Sequence, residues 1–210
     1  FRSAGTGWTM SPMTVDPEDP FIFHFSGDLA SNGGNKIATN IDWSGNYYRP
    51  QVNTMVEGLD MDVKLTPDSD GDDKWNLSAG SYWIKLNMRN NKIDLLRFAP
   101  HFIGDATDAG WDLTKGIPMA RNNDDPFIYT WKGNLKANGE LKISCIKRNA
   151  NDWGGIWIFA PEQGAEPPAE AKPFVVLASG TTDFKWRVKD GGEYIIELHL
   201  LSGTIKFIKQ

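Results

Sequence analysis

The chain has 210 residues, with 22 basic and 27 acidic side chains for a formal net charge of −5, three histidines and one cysteine. That balance lacks the concentrated Lys/Arg of a nucleic-acid surface, a lone cysteine forms no intrachain disulfide, and no apolar run approaches the roughly 20 residues of a membrane span. Nine tryptophans, several of them beside glycine and Asp or Asn, set the composition apart.

Residues 1–19 are irregular, punctuated by Gly5, Gly7, Pro12 and Pro17. Phe21, Phe23 and Phe25 then alternate with Ile22, His24 and Ser26, the period of a strand. After a turn at 31–34, Lys36 to Ile41 is a short strand expected to form a hairpin with the one before it. Residues 41–50 turn and carry Trp43, Tyr47 and Tyr48. Residues 51–67 are extended and lead into the acidic run Asp68 to Asp73. Tyr82, Ile84, Leu86 and Met88 alternate, Asn90-Asn91 is a tight turn, and 93–98 returns, a terminal hairpin.

Near Arg97 the pattern restarts. Phe102 and Ile103 open it, and 104–110 is a loop. Phe127, Tyr129 and Trp131 alternate, 134–139 turns, and Leu141 to Ile146 is expected to pair with the preceding strand. An aromatic-rich segment at 149–161 and a Pro/Ala/Glu surface loop at 162–172 follow. Short strands near 174–177 and 184–188 precede a second terminal hairpin, 194–200 with 204–208. No 3.6-residue apolar period is sustained. Many short strands with Gly/Asn turns read as an all-β sandwich or barrel, twice over.

The restart is an internal duplication. Asp19 to Pro50 and Asp125 to Pro161 both open on Asp-Pro-Phe-Ile, run through Gly-Asp/Asn-Leu and reach Asp-Trp, glycine, a second aromatic and proline. Gly7-Trp8 matches Gly110-Trp111, Pro12-Met13 matches Pro118-Met119, Lys74-Trp75 matches Lys185-Trp186, and Gly80 to Leu86 matches Gly192 to Leu198. The expected division is therefore residues 1–98 and 99–210. Phe1 falls near the level of Phe102 of the second copy, so the chain is expected to be a fragment of a mature protein with more sequence upstream.

Candidate chemistry is sparse. His24 and His199 lie in strand alternation, and no nucleophile motif accompanies them or His101. No Cys-x-x-Cys or His-x-x-x-His spacing suggests zinc. The Asp68–Asp73 run has Gly71 fourth and Ala79 twelfth, where an EF-hand needs glycine sixth and glutamate twelfth, so a solvated acidic turn is the leading reading and a calcium loop the alternative. Asp42 and Asp152, each before a tryptophan, are the carboxylates a glycosidase would need, although a duplicated small domain seldom splits one active site. Cys145 reads as a small buried hydrophobe.

The aromatic constellation remains. Tryptophan offers a rigid apolar plane to the C–H faces of a pyranose, and Lys, Arg, Asn and Asp can meet ring hydroxyls. In the second copy the candidate ligand-binding residues are Trp153 and Trp157, with Lys147, Asn151 and Lys185. In the first they are Trp43, Tyr47, Tyr48 and Arg49. Trp153 and Trp157 are expected at the surface, with the Gly154-Gly155 bend splaying them into an arc. Trp75, Trp186, Trp8 and Trp111 fit either core or surface.

The set Phe102 to Leu113, Ile117-Pro118-Met119, Phe127 to Leu135 and Glu140 to Ile143 resembles the repeating module of the SusE/SusF outer-membrane starch-binding lipoproteins of Bacteroidetes; the first copy fits more loosely. The resemblance implies all-β tandem immunoglobulin-like or carbohydrate-binding-module-like β-sandwich domains. It implies a non-catalytic protein binding polysaccharide or oligosaccharide, starch-like glucan first; from the residues themselves no cofactor or metal is expected. It also implies a place at the cell surface, held in the outer membrane by a lipid anchor outside this chain, beside an outer-membrane glycan importer complex. The alternative expectation is a structural or protein-interaction module of the same uptake system, with the aromatics buried.

Overall fold

The computed structural model describes residues 2–4, 8–30, 32–41, 44–54, 56–150 and 152–210, with the backbone alone at 2–4, 8 and 9. The chain forms two compact units, Phe1–Arg97 and Phe98–Gln210. Both are all-β with antiparallel sheets. Short 3-10 turns at Asp68–Asp70 and Leu113–Lys115 are the helical elements among the described residues.

Unit 1 has β1 (Arg2–Ala4), β2 (Trp8–Met10), β3 (Thr14–Val15), β4 (Ile22–Leu29), β5 (Gly33–Ala38), β6 (Asn46–Pro50), β7 (Gly58–Pro67), β8 (Trp75–Leu77), β9 (Gly80–Asn87) and β10 (Lys92–Arg97). They pair along one path, β2-β1-β5-β6-β7-β10-β9-β4-β3, with β8 also on β5. The path is unbroken because the long β7 serves two neighbours, pairing β6 through Val63–Pro67 and β10 through Gly58–Asp62. Its register on β10 slips between Ile93 and Leu95. There Asp60 adopts a positive φ of 52° and its amide donates to Asp94 Oδ1 at 2.7 Å, a bulge that bends the strand.

Unit 2 has β11 (His101–Ile103), β12 (Ile117–Pro118), β13 (Ala120–Arg121), β14 (Ile128–Leu135), β15 (Glu140–Ser144), β16 (Ile156–Phe159), β17 (Lys172–Pro173), β18 (Val175–Ala178), β19 (Trp186–Arg187), β20 (Gly192–His199) and β21 (Thr204–Lys209). Here the counterpart of β7 is broken at Phe174. β17 pairs β21 while β18 pairs β16, so two sheets separate: β12-β11-β15-β16-β18 with β19 on β15, and β13-β14-β20-β21-β17.

The terminal hairpins form as the alternation predicts. Tyr82, Ile84 and Leu86 of β9, and Tyr194, Ile196 and Leu198 of β20, are buried, each such aliphatic contributing roughly 1.5–3 kcal/mol of burial. Asn91 turns the first hairpin at φ 54° and Gly203 the second at φ 64°. The two expected inner hairpins do not form. β4 pairs β3 and β9, and β5 pairs β1, β6 and β8; likewise β14 pairs β13 and β20, and β15 pairs β11, β16 and β19. Adjacent strands with a Gly/Asn turn suggest local pairing, but β4 and β14 lie instead along the terminal-hairpin strands β9 and β20, through eight residue pairs each. Trp75 and Trp186 are core residues. In unit 1, one buried cluster joins β4 and β9 (Phe25, Ile84) to β5, β6 and β8 (Ile37, Tyr48, Trp75).

Candidate functional site: an indole and lysine cluster in unit 2

The register of β15 and β16 builds the site. Ile143 faces Ile158 and Ser144 faces Trp157, which sets Lys142 across from Phe159 and diagonal to Trp157, within reach of a long side chain. Trp157 is 1 % exposed, and its indole N–H donates to Trp153 O at 3.2 Å. The chain between them turns at Gly155, whose φ of +85° strains any residue with a Cβ, so glycine is favoured there. Asp152 caps the same turn by accepting the Gly154 N–H at 2.8 Å.

The two indoles are not splayed into an arc. They stack at 5.7 Å and 15°, and Trp111 leans on Trp153 at 6.2 Å and 44°. Trp157 is thus the floor, closing on Ile103, Leu113 and Phe159, while Trp153 and Trp111 are half-buried above it. The expectation that Trp157 is a surface platform is overturned: in β16 its side chain has the buried face of the sheet beneath it, and the short Gly-Gly connection lays Trp153 over it.

Lys142 is buried, 5 % exposed. Its ammonium lies 4.4 Å from the Trp157 ring centroid and 4.8 Å from that of Trp153, a cation–π arrangement, and it donates to Asp183 Oδ1. Asp183 also accepts from Lys185 at 2.6 Å, and Lys185 lies 5.7 Å from the Trp111 ring. Burial depresses the Lys142 ammonium pKa, opposed by Asp183. Partial burial raises the Asp183 carboxyl, but the two lysines outweigh it and hold the acid below its usual range. Between Lys142, Trp153 and Phe159 on one side and the Ser179–Asp183 loop on the other is a cleft of about 370 Å³. The loop is tied to the tryptophan turn by Ser179 N–H donating to Gly155 O at 2.8 Å.

Other sequence candidates lie elsewhere. Lys147 is exposed, and its charge bears on His101 rather than on the indoles. Asn151 and Trp43 lie outside the described residues, as does Asp42. Tyr47, Tyr48 and Arg49 are buried, not surface contacts. Tyr48 belongs to the unit 1 core, and Tyr47 lies under the Lys36 ammonium, 4.0 Å from its centroid. Arg49 donates to Asp68 at 2.9 Å and to Gly71 O.

The strand registers make the units comparable position by position. Ala38 faces Tyr47 as Ser144 faces Trp157, and Asn35 faces Trp75 as Leu141 faces Trp186. Tyr47 therefore corresponds to Trp157, not displaced from it as the closing prolines imply, and Lys36, Asp72 and Lys74 correspond to Lys142, Asp183 and Lys185. The charged trio recurs: Lys36 meets Asp72 at 3.4 Å, and Lys74 meets Asp72. The acidic run is thus not a merely solvated turn. Asp68, Asp72 and Asp73 face Lys36, Arg49, Lys64 and Lys74. Among the described residues no three His, Cys, Asp or Glu side chains converge as metal ligands.

Sequence reasoning missed Lys142, Asp183 and the Ser179–Thr182 rim. The available signal was a lysine inside an apolar alternation, Leu141-Lys142-Ile143, recurring as Asn35-Lys36-Ile37. The site combines an aromatic wall with clustered donors and an acceptor, suited to binding a ligand that has both a flat apolar face and hydroxyls. No protein-family model matches the chain, and no curated protein matches it significantly.

Proposed function

We propose that this chain is a non-catalytic glycan-binding protein made of two immunoglobulin-like or carbohydrate-binding-module-like β-sandwich domains. In unit 2 a saccharide ring stacks at Trp153, with Trp111 beside it, and ring hydroxyls meet Asp183, Lys185 and the Ser179–Thr182 loop. The observation that carries this reading is the half-buried Trp153 indole, held parallel to a buried Trp157 beside a cleft of about 370 Å³ with a polar rim. A pre-positioned indole loses little side-chain freedom on binding. The starch-like ligand, the kinship with SusE/SusF lipoproteins, and a lipid-anchored outer-membrane location beside a glycan importer rest on the sequence resemblance.

The test is calorimetric titration of wild type and Trp153→Ala with soluble α-glucan oligosaccharides, with thermal melts in parallel. Trp153→Ala is expected to remove most affinity, about 2 kcal/mol or more for a central aromatic anchor, with the fold intact. Unchanged affinity, or turnover of the glucan, would refute the reading.

A further inference from the structure

The place of the Lys142 cleft is taken in unit 1 by a carboxylate and a guanidinium. Tyr47 faces Thr66 and Asn46 faces Pro67, as Trp157 faces Leu177 and Ile156 faces Ala178. Asp68 and Ser179 are therefore corresponding residues, each four positions before the aspartate of its charged trio, Asp72 or Asp183. Arg49 and Phe159, each two positions after the buried aromatic, correspond as well. In unit 1 the Lys36 ammonium donates to Asp68 Oδ1 at 2.7 Å, and the same oxygen accepts from Arg49 at 2.9 Å. Unit 2 has neither side chain: serine stands in the place of the acid and phenylalanine in that of the base. There Lys142, Phe159, Ser179 and Asp183 line the cleft of about 370 Å³.

Exchanging an acid and a base for two neutral residues leaves the local charge unchanged. What changes is what the buried ammonium meets. Lys36 has two carboxylates within 3.4 Å, Asp68 and Asp72. Among the described residues Lys142 has one, Asp183, and shares it with Lys185. An ammonium carries three donors, and a buried one that is incompletely paired is costly. By the correspondence, the position of Asp68 Oδ1 falls in the open cleft, beside the half-buried Trp153, whose ring centroid is 4.8 Å from the Lys142 ammonium.

We propose that unit 2 selects an acidic saccharide, with a sugar carboxylate taking the place that Asp68 holds in unit 1. The carboxylate accepts from the Lys142 ammonium and the Ser179 hydroxyl, ring carbons lie against Phe159 where unit 1 has Arg49, and the pyranose stacks at Trp153. A uronic acid meets this description, because its carboxylate stands where glucose has a hydroxymethyl group. A charge-assisted bond to a partly dry ammonium is stronger than one to a sugar hydroxyl, so the acidic ring is preferred over its neutral form. The proposal rests on the glycan reading of this site, and it puts a uronate-bearing glycan in place of the neutral glucan that the sequence resemblance implies.

The probes are trigalacturonate and β-1,4-linked triglucuronate, each titrated by calorimetry into the whole chain beside its carboxyl-reduced neutral form. At least one acid is expected to bind about tenfold or more tighter than its reduced form. Ser179→Asp restores the carboxylate of unit 1 at an exposed position, and is expected to abolish that preference with the melt unchanged or raised. Should this variant melt lower than wild type, Lys142→Met decides instead, by the same loss of preference. Equal binding of acid and reduced forms, or a preference that survives the deciding variant, overturns the proposal and leaves the glycan reading standing. Binding of none of these saccharides also overturns the proposal, and the titration of Trp153→Ala with α-glucan oligosaccharides then judges the glycan reading separately.

Discussion

Removing Asp183 should harm unit 2 more than removing the lysine it partners. Lys142 is 5 % exposed and lies against two stacked indoles, whereas Asp183 is 58 % exposed at the side chain. Asp183→Ala leaves a buried ammonium with no carboxylate. A fully buried pair broken this way costs about 3–5 kcal/mol. Because water reaches Asp183 and screens the pair, and because Lys142 keeps its indole contacts, the cost here should be about 1–3 kcal/mol. At about 4 °C per kcal/mol for a unit of this size, the melt should fall by roughly 4–12 °C. Lys142→Met replaces the ammonium with an apolar side chain of similar length, leaves Asp183 paired to Lys185, and should be near neutral.

The double variant should therefore be more stable than Asp183→Ala alone. The pH dependence has a definite sign. Burial already depresses the folded-state pKa of Lys142 below that of the unfolded chain, so the unfolded state binds more protons between the two values and stability rises with pH across that window. Loss of Asp183 depresses the folded value further and widens the window downward. The Asp183→Ala deficit should shrink as melts are repeated from pH 7 to pH 10. A pH-independent deficit, or Lys142→Met as damaging as Asp183→Ala, would refute the account of Lys142 as a buried, carboxylate-dependent charge.

Three further outcomes are expected. Trp157→Ala should lower stability by about 3–5 kcal/mol in chemical denaturation, as loss of a buried tryptophan does, and a change under 1 kcal/mol would contradict its place as the floor of the site. His24 and His101 both have their pKa lowered by burial. The unfolded chain therefore takes up protons first as pH falls through about 6.5, so denaturant midpoints should drop between pH 7.5 and 5.5, and a rise would contradict this. The Cys145 thiol is fully buried and pushed up to about 12, so it should resist thiol reagents in the native protein and react fully in denaturant.

The sequence by itself determined what depends on neighbours along the chain. Alternation of Tyr82, Ile84 and Leu86, repeated in Tyr194, Ile196 and Leu198, specifies the buried faces of β9 and β20, because the pleat sends successive side chains to opposite faces. Asn90-Asn91 and Ser202-Gly203 specify tight turns, because those residues tolerate a positive φ. The duplication was readable because matched motifs keep nearly constant spacing. What it could not reveal was which strands meet across distance. β5 and β15 follow β4 and β14 yet pair with other strands, since pairing is set by where two apolar faces close on one core. That choice buried Trp157, Tyr47 and Arg49, left Trp153 half-buried above, and brought Lys142 to Asp183, 41 residues away. It also aligned Tyr47 with Trp157, a correspondence hidden by the spacing of the closing prolines. Only the tertiary structure separates the half-buried Trp153 from the buried Trp157 beneath it, because burial belongs to the assembled sheets and not to the tryptophan itself.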